Sequence, residues 1–145
     1  MADMKLFYAS ATALACSLSA LASTGIVFSG TVDNTSLLYL DYLIDLTVAD
    51  VVEAGNKQIV LYGRSSIDGT NFSNADTLNH QAMTVIGYLP LNGTGPWQSR
   101  AFGVAQAFGG IIPPKFQVVI YNDAGVALAT LGNSMNIRGV YATSA

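Results

Sequence analysis

The chain has few charged side chains. Of its 145 residues, six are Lys or Arg and nine are Asp or Glu, so charged residues make up 10%, against about 25% in a typical soluble domain. The apolar residue types reach 51%, and the remaining surface must be largely neutral hydroxyl and amide groups. A surface of this kind is typical of a chain that is packed against other protein chains.

Other scarcities exclude whole classes of chemistry. Cys16 is the only cysteine, which excludes an intrachain disulfide and a Cys-rich metal site. The net charge is -3 with six scattered basic residues, which argues against a nucleic-acid binder. His80 is the only histidine, and it has neither spaced metal-ligand partners nor a G-x-S-x-G serine. We therefore expect a non-enzymatic protein without catalytic residues, cofactor or metal.

Acidic residues that might suggest chemistry have the wrong spacing. Asp41 and Asp45 are four strand residues apart, roughly 13 Å, whereas the carboxylates of glycosidases lie about 5 to 9.5 Å apart. We expect both to be solvated or interface residues. A second set of oxygen ligands lies in one loop, without the spacing of a calcium loop: Asp68, Asn71, Asn74 and Asp76.

The segment from Leu37 to Val48 has the longest two-residue alternation in the chain. A helix would place Asp41 over Asp45 at a like-charge spacing and leave no polar face. The alternation therefore predicts a β-strand that spans the domain and forms one wall of the core. Its apolar face consists of the even positions: Leu38, Leu40, Tyr42, Ile44, Leu46 and Val48.

The rest of the chain reads as short strands separated by turn signals, with no convincing helix. This pattern predicts one all-β domain over residues 1–145, an antiparallel sandwich of jelly-roll type with about eight to nine strands. The predicted strands cover residues 9–22, 26–32, 37–48, 58–65, 83–91, 98–105, 116–122, 126–131 and 137–143. Turns are predicted at Gly55-Asn56 and Asp68-Gly69, and an irregular polar loop at 73–81.

The N-terminal region has two interpretations. Lys5, the apolar run 6–22 and the Ala20-Leu21-Ala22 pattern are typical of a secretory signal, with a mature N-terminus near Ser23. The alternation of Leu14, Cys16 and Leu18 with small residues instead favours a strand. We favour the strand, as an arm that is exchanged with a neighbouring subunit or packed on it.

Several apolar residues are candidates for contacts between subunits. Trp97 follows two glycines in the turn NGTGPW, and a stiff corner follows the strand 98–105. Trp97 with Tyr88 or Phe102 is also a candidate sugar-stacking platform, the alternative to an assembly contact. The interface candidates are Leu14, Leu18, Trp97, Phe108, Ile111, Ile112 and Pro113.

Three stretches carry a resemblance to a known group of proteins: residues 31–43 (TVDNTSLLYLDYL), 62–72 (YGRSSIDGTNF) and 107–119 (AFGGIIPPKFQVV), the last leading to GVAL at 125–128. Together with the opening TALACSLSALA at 12–22, this order of strands and turns resembles a loose group of bacteriophage virion proteins. The resemblance implies a small β-sandwich that binds the outer surface of an icosahedral capsid as a decoration, or cement, protein.

The resemblance also implies partners. They would be the major capsid protein and further copies of the same chain, as a dimer or trimer, with no nucleic acid and no membrane. The chain departs from that group in a shorter loop at 49–57 and a more apolar N-terminus. The alternatives are a carbohydrate-binding module on a virion or cell surface, a tail or neck structural protein, and a small exported outer-membrane β protein.

Overall fold

The computed structural model describes residues 3–51, 57–73 and 82–144. Its regular secondary structure is almost entirely β-strand, and a short 3-10 helix lies at Ala105–Phe108. Within these ranges, no helix has the length and apolar character needed to cross a membrane. The strands are β1 (Met4–Tyr8), β2 (Thr12–Ala13), β3 (Ile26–Phe28), β4 (Val32–Asp33), β5 (Asp41–Val48), β6 (Gln58–Ser66), β7 (Thr84–Pro90), β8 (Trp97–Gly103), β9 (Lys115–Asp123) and β10 (Ser134–Ser144).

The strands form two antiparallel sheets. Sheet A has the order β1-β10-β5-β8, with β2 also paired to β10, and sheet B has the order β3-β9-β6-β7, with β4 also paired to β9. If β1 with β2 and β3 with β4 are each taken as one interrupted strand, the orders become 1-8-3-6 and 2-7-4-5. That is the connectivity of a jelly roll. The predicted all-β antiparallel sandwich is confirmed.

Strand β5 provides the predicted core wall over part of the predicted length. Its even residues are buried and its odd residues are half-buried, as the alternation predicted. The prediction was wrong for Leu38 and Leu40, which are 72% and 55% exposed, because the strand begins only at Asp41. The Asn34 side chain closes a loop before it: Oδ1 accepts a hydrogen bond from the Tyr39 N–H at 2.9 Å, and Nδ2 donates to the Tyr39 carbonyl at 3.1 Å.

The two central strands of sheet B are buried on both faces. Ile59 and Leu61 of β6 face sheet A in the main core, together with Phe116 and Val118 of β9. The alternate residues of the two strands face outward. Val60, Tyr62 and Val119 form a second cluster there with Met83, which precedes β7. Continuous apolar runs such as QIVLY are typical of strands that are covered on both sides.

The N-terminal segment differs from the predicted strand at 9–22. Only β2 lies in a ladder there, although Leu14 and Cys16 pack against the core and Leu18 is buried, so the inward alternation is right. The remainder is irregular because turns interrupt it, with Ala20 at φ 52°. Strand β1 lies before the predicted segment, and the prediction missed it.

The predicted strand at 126–131 is also wrong. Asparagine side chains bind carbonyl groups of this segment: Asn122 Nδ2 donates to Val126 at 2.8 Å, and Asn133 Nδ2 donates to Ala129 at 2.7 Å. The segment is thereby held as a loop. The predicted turn at Gly55-Asn56 and most of the predicted loop at 73–81 lie outside the described residues.

Candidate assembly surface

A two-stranded ribbon extends beyond sheet A. Strand β1 pairs with the end of β10, with Met4 opposite Ser144 and Tyr8 opposite Val140. On its other side, β10 pairs with β5 only as far as Val140. All five residues of β1 are exposed. The ribbon, defined as Met4–Tyr8 with Tyr141–Ser144, therefore has solvent on both faces.

A row of aromatic rings connects the ribbon to the core. Phe7 stacks on Tyr141 with ring centroids 5.8 Å apart, and Tyr141 stacks on Tyr39 at 5.9 Å. Tyr39 in turn meets Tyr42 edge to face at 5.4 Å, and Tyr42 meets the fully buried Phe116 at 5.4 Å. Such ring pairs add packing energy to burial. The inner face of the ribbon is thus fixed by contacts that begin in the core.

Gly139 makes this arrangement possible. It lies opposite Tyr42 in the ladder between β10 and β5, and the Tyr39 ring lies directly over it, where any Cβ would overlap the ring. The glycine is required here by the close approach of a side chain to the backbone.

The loop before β5 exposes three leucines, and we call Leu37–Leu40 the leucine loop. Leu37, Leu38 and Leu40 are all exposed. The loop is firmly held, because the Asn34 side chain binds both backbone groups of Tyr39 and accepts a hydrogen bond from the Tyr42 hydroxyl at 2.9 Å. Burial raises the pKa of Tyr42 to about 12, so this hydroxyl remains a donor at neutral pH.

The leucine loop and the ribbon lie side by side. The Leu40 N–H donates to the Val140 carbonyl at 2.7 Å, and Tyr39 stacks on Tyr141. We call the ribbon and the leucine loop together the apolar end. Of the thirteen large exposed hydrophobic residues in the described part of the chain, eight lie there: Met4, Leu6, Phe7, Tyr8, Leu37, Leu38, Leu40 and Tyr141. A concentration of this kind is typical of a protein-binding surface.

The seven interface candidates do not form one surface. Ile111 is largely exposed, at 78%, and Leu18 and Ile112 are core residues. Leu14, Trp97 and Phe108 are partly buried against the core, and Pro113 is half-buried. Their role as contacts stays a prediction, and in the folded chain only Ile111 offers a largely open side chain for it.

The candidates also lie at different ends of β5. Trp97 pairs with Val48 at the last residue of the strand, whereas Gly103 pairs with Leu43 near its start. The corner at Ile111–Pro114 contacts the residue that holds the leucine loop, since the Pro114 carbonyl accepts a hydrogen bond from the Asn34 N–H at 2.8 Å. Ile111 therefore lies at the same end of the sandwich as the ribbon, and Trp97 lies at the opposite end.

The candidate sugar platform does not present stacked open rings. Trp97 and Phe102 both pack against the core cluster, and the buried Trp97 Nε1 has no hydrogen-bond partner. Phe102 covers Gly87, where a Cβ would lie 2.6 Å from the Phe102 ring. Tyr88 is the exposed member of the three. Trp97 and Phe102 serve packing against the core, and Tyr88 does not.

The aspartates of β5 have structural partners. Asp41 Oδ1 accepts hydrogen bonds from the backbone N–H groups of Val104 at 3.0 Å and Ala105 at 2.7 Å. It thus anchors the start of the 3-10 helix from a neighbouring strand. Asp45 accepts a hydrogen bond from Gln98 Nε2 at 3.2 Å.

The loop aspartate Asp68 organises its own turn. It accepts hydrogen bonds from the N–H groups of Thr70 and Asn71 and from the side chains of Asn71 and Ser66, all between 2.8 and 2.9 Å. These bonds hold the pKa of Asp68 well below its usual range. The predicted reversal at Asp68-Gly69 is confirmed, with Gly69 at φ 81°.

Asn74, Asp76 and His80 lie outside the described residues. Among residues 3–51, 57–73 and 82–144, no three His, Cys, Asp or Glu side chains are grouped so that they could hold a metal. Cys16 is a free thiol, and burial raises its pKa to about 11. It therefore stays protonated at neutral pH and packs as a small apolar group.

No protein-family model matches the chain, and no curated protein matches it. Among solved structures, a chain from Desmodium yellow mottle tymovirus is similar at 12% identity and a TM-score of 0.39, over 100% of this chain and 87% of the other. The N-terminal cellulose-binding domain of Cellulomonas fimi β-1,4-glucanase C is similar at 9% identity and a TM-score of 0.30, over 96% and 80%.

A chain from sacbrood virus of honeybee is similar at 10% identity and a TM-score of 0.33, over 97% of this chain and 67% of the other. Identities and scores this low assign neither a family nor a function. What the protein does must be argued from its own surface.

The ribbon was predicted only in part, because the predicted strand at 137–143 covers its β10 half and no predicted strand covers β1. Its signal was present in MKLFY at 4–8, where every second residue from Met4 to Tyr8 is large and apolar and Phe7 lies on the other face. Residues 6–8 of this strand also begin the apolar run of the N-terminal region. Because the run contains both the exposed β1 and the core contacts Leu14 and Leu18, its composition alone did not separate them.

Proposed function

We propose that the protein is a non-enzymatic virion subunit, a capsid decoration protein whose apolar end binds the shell formed by the major capsid protein. The sequence resemblance to phage virion proteins supports this role, as does the low content of charged residues. The jelly roll is compatible with it, but this architecture also serves in lectin domains and cupins, so connectivity alone does not select a function.

The observation that carries the proposal is the state of Leu38. This residue is 72% exposed and has a φ of 51°. Both features are unfavourable in an isolated chain, since water surrounds an apolar side chain and the left-handed backbone region favours Gly, Asn or Asp over Leu. Residues that break local rules of this kind are expected at functional sites.

Leu38 lies in a fixed loop between two other exposed leucines. Leu37 and Leu40 are exposed on either side of it, and the loop is fixed to the core through Asn34 and Tyr42. A rigid apolar projection loses little conformational entropy on binding, so most of its buried area contributes to affinity. In this proposal the leucine loop inserts into an apolar depression of the shell and adds contact area between shell subunits.

The test is Leu38→Asn, with particle binding and stability measured together. Asn tolerates the left-handed backbone, so the free energy of unfolding of the isolated protein should rise, by about 0.5 to 1 kcal/mol. Occupancy on purified virus particles, measured by densitometry after sedimentation, should fall by more than roughly tenfold. A functional residue is expected to show this opposite response of stability and binding.

Leu131→Asn is the matched control. Leu131 is 83% exposed but follows the loop that Asn133 binds, away from the apolar end, so this substitution should leave occupancy unchanged. The proposal would be refuted if the Leu38→Asn protein bound particles at full occupancy, or if the unmodified protein did not sediment with any particle.

A further inference from the structure

The free edge of β1 has its hydrogen-bonding groups available. The register with β10 continues past Tyr8, and the Ala9 N–H donates to the Gly139 carbonyl at 2.9 Å. In an antiparallel ladder, residues alternate between pairs that exchange hydrogen bonds and pairs that do not. Ala9, Phe7 and Lys5 therefore bond to β10, and the backbone groups of Met4, Leu6 and Tyr8 point away from it.

The other sheet edges are modified in ways that impede pairing, and β1 is not. Strand β7 contains Gly87 and ends at Pro90, with a register shift against β6, and β8 has a register shift against β5. Strands β3 and β4 have three and two residues. Bulges, prolines and short strands are the usual protection of an edge. Within β1 the register to β10 is continuous and the sequence MKLFY contains neither glycine nor proline.

The sequence of β1 complements itself when two copies run antiparallel with Leu6 opposite Leu6. Leu6 is one of the residues with outward backbone groups, so the central pair exchanges two hydrogen bonds. Met4 then lies opposite Tyr8 of the second copy and exchanges two more, as does Tyr8 opposite Met4. The pairing places a thioether beside an aromatic ring and a leucine beside a leucine, which are favourable cross-strand contacts.

The charge of the strand fits the same register. Lys5 is the only charged residue of β1, and in the antiparallel pair it lies opposite Phe7 of the second copy. Phe7 is already held by its stack on Tyr141 at 5.8 Å, so an ordered ring faces each ammonium group and a cation–π contact is available. The two lysines lie on opposite sides of the twofold axis and are not paired with each other.

From this geometry we propose that β1 binds β1 of a second copy of the chain, antiparallel and centred on Leu6. The pairing joins two copies of sheet A into one sheet through six backbone hydrogen bonds. It rests on the proposed assembly role but uses a different part of the apolar end, since the strand edge binds the second copy and the leucine loop remains free for the shell.

The experiment is charge complementation at the central position. Analytical ultracentrifugation of the unmodified protein should show a concentration-dependent dimer. Leu6→Lys and Leu6→Glu should each weaken the dimer by more than roughly tenfold, because like charges then face each other across the twofold axis. An equimolar mixture of the two variants should restore a dimer containing one copy of each.

Further variants distinguish this strand register from nonspecific hydrophobic association. Met4→Lys mixed with Tyr8→Glu should dimerise more tightly than either variant alone, because residue 4 faces residue 8 of the other copy and the two charges are opposite. Met4→Lys mixed with Met4→Glu should show no such gain, because the two charged residues do not face each other. Leu131→Lys should remain dimeric, and circular dichroism should report that every variant keeps its β-structure.

A monomeric unmodified protein at high concentration, a dimer that persists in Leu6→Lys, or failure of the mixed Leu6 variants to pair would overturn the inference. Particle occupancy separates this failure from failure of the proposed function. If the protein binds particles through Leu38 but does not dimerise through Leu6, only the strand pairing is wrong.

Discussion

The two ends of the sandwich are built in opposite ways. We call the end formed by residues 18–25 and 122–133 the closed end. There side-chain amides bind the backbone groups of neighbouring loops, and Leu131 is the one large hydrophobic residue of these two ranges that is exposed. At the apolar end, the ribbon and the leucine loop leave eight large hydrophobic residues exposed and one strand edge unpaired. The exposed apolar residues are therefore concentrated at one end of the sandwich.

The closed end depends on two asparagines. Asn122 is fully buried. Its side chain donates to the carbonyls of Leu21, Ala22 and Val126 and accepts from the Ala124 N–H, all between 2.8 and 3.1 Å. Asn133 similarly accepts from the Ala49 N–H at 2.9 Å and donates to the Ala129 carbonyl at 2.7 Å. Loops from distant parts of the sequence are thereby held together by side-chain amides.

The apolar end uses an asparagine for a different purpose. Asn34 also binds backbone groups, but by doing so it holds Tyr39 against the core while the adjacent leucines stay exposed. An asparagine side chain bound to backbone groups therefore holds a loop in place at each end, but only at the apolar end does that loop expose leucines. The difference lies in the side chains that follow, not in the rigidity of the loop.

The largest expected change in the free energy of unfolding comes from a substitution at the closed end. Asn122→Ala would remove four hydrogen bonds, from Nδ2 to the Leu21, Ala22 and Val126 carbonyls and from the Ala124 N–H to Oδ1. The Leu21 and Ala22 carbonyls would keep the Leu128 and Gly25 N–H groups as donors, and we expect the free energy of unfolding to fall by roughly 3 kcal/mol. Urea denaturation followed by tryptophan fluorescence would measure this. Because the closed end is remote from β1 and the leucine loop, the folded fraction should keep full dimer formation and particle occupancy.

Asn92→Ala is the control for this comparison, since Asn92 is exposed in the turn before β8. It should change stability by less than about 0.5 kcal/mol. If Asn122→Ala impaired dimer formation in proportion to its destabilisation, the two ends would be energetically coupled and would not be independent of each other.

A smaller effect is expected where the apolar end joins the core. In Gly139→Ala, the new methyl group would overlap the Tyr39 ring, and the ring would have to leave its place between Tyr42 and Tyr141. We expect a loss of about 2 kcal/mol in the free energy of unfolding. Unlike Asn122→Ala, this substitution should also weaken particle binding, because Tyr39 holds the leucine loop.

The double variant Tyr39→Ala with Gly139→Ala tests the cause. If the overlap with Tyr39 is responsible, adding Gly139→Ala to Tyr39→Ala should have little further effect on stability. Additive losses would show that the glycine matters for another reason, such as its own backbone conformation in β10.

Much of the fold could be predicted from local pattern. The alternation in β5 and the apolar runs of β6 and β9 identified three of the four strands at the centre of the two sheets, and the spacing of turns identified the sandwich. The errors at Leu38, Leu40 and 126–131 share one cause. Asparagine side chains four or five residues away bind backbone groups of these segments, in place of the ladder hydrogen bonds that a strand would make.

The candidate site was less accessible to sequence reasoning. Whether an apolar residue is buried or exposed depends on which strand covers it, and Leu18 and Leu6 lie in the same apolar run although only Leu18 is covered. Leu38 looked like a core residue because its φ of 51° cannot be read from the alternation. The expectation of a surface made for protein contacts came from composition, but the position of that surface came from the structure.

Amide hydrogen exchange at single-residue resolution tests most directly whether the apolar end is covered by another chain. In dilute monomer, the outward amides of Leu6 and Tyr8 should exchange rapidly, while those of Lys5 and Phe7 are protected by β10. In the assembled protein, the amides of Leu6 and Tyr8 should become protected. If they continue to exchange rapidly after assembly while amides at the closed end become protected, the account is contradicted.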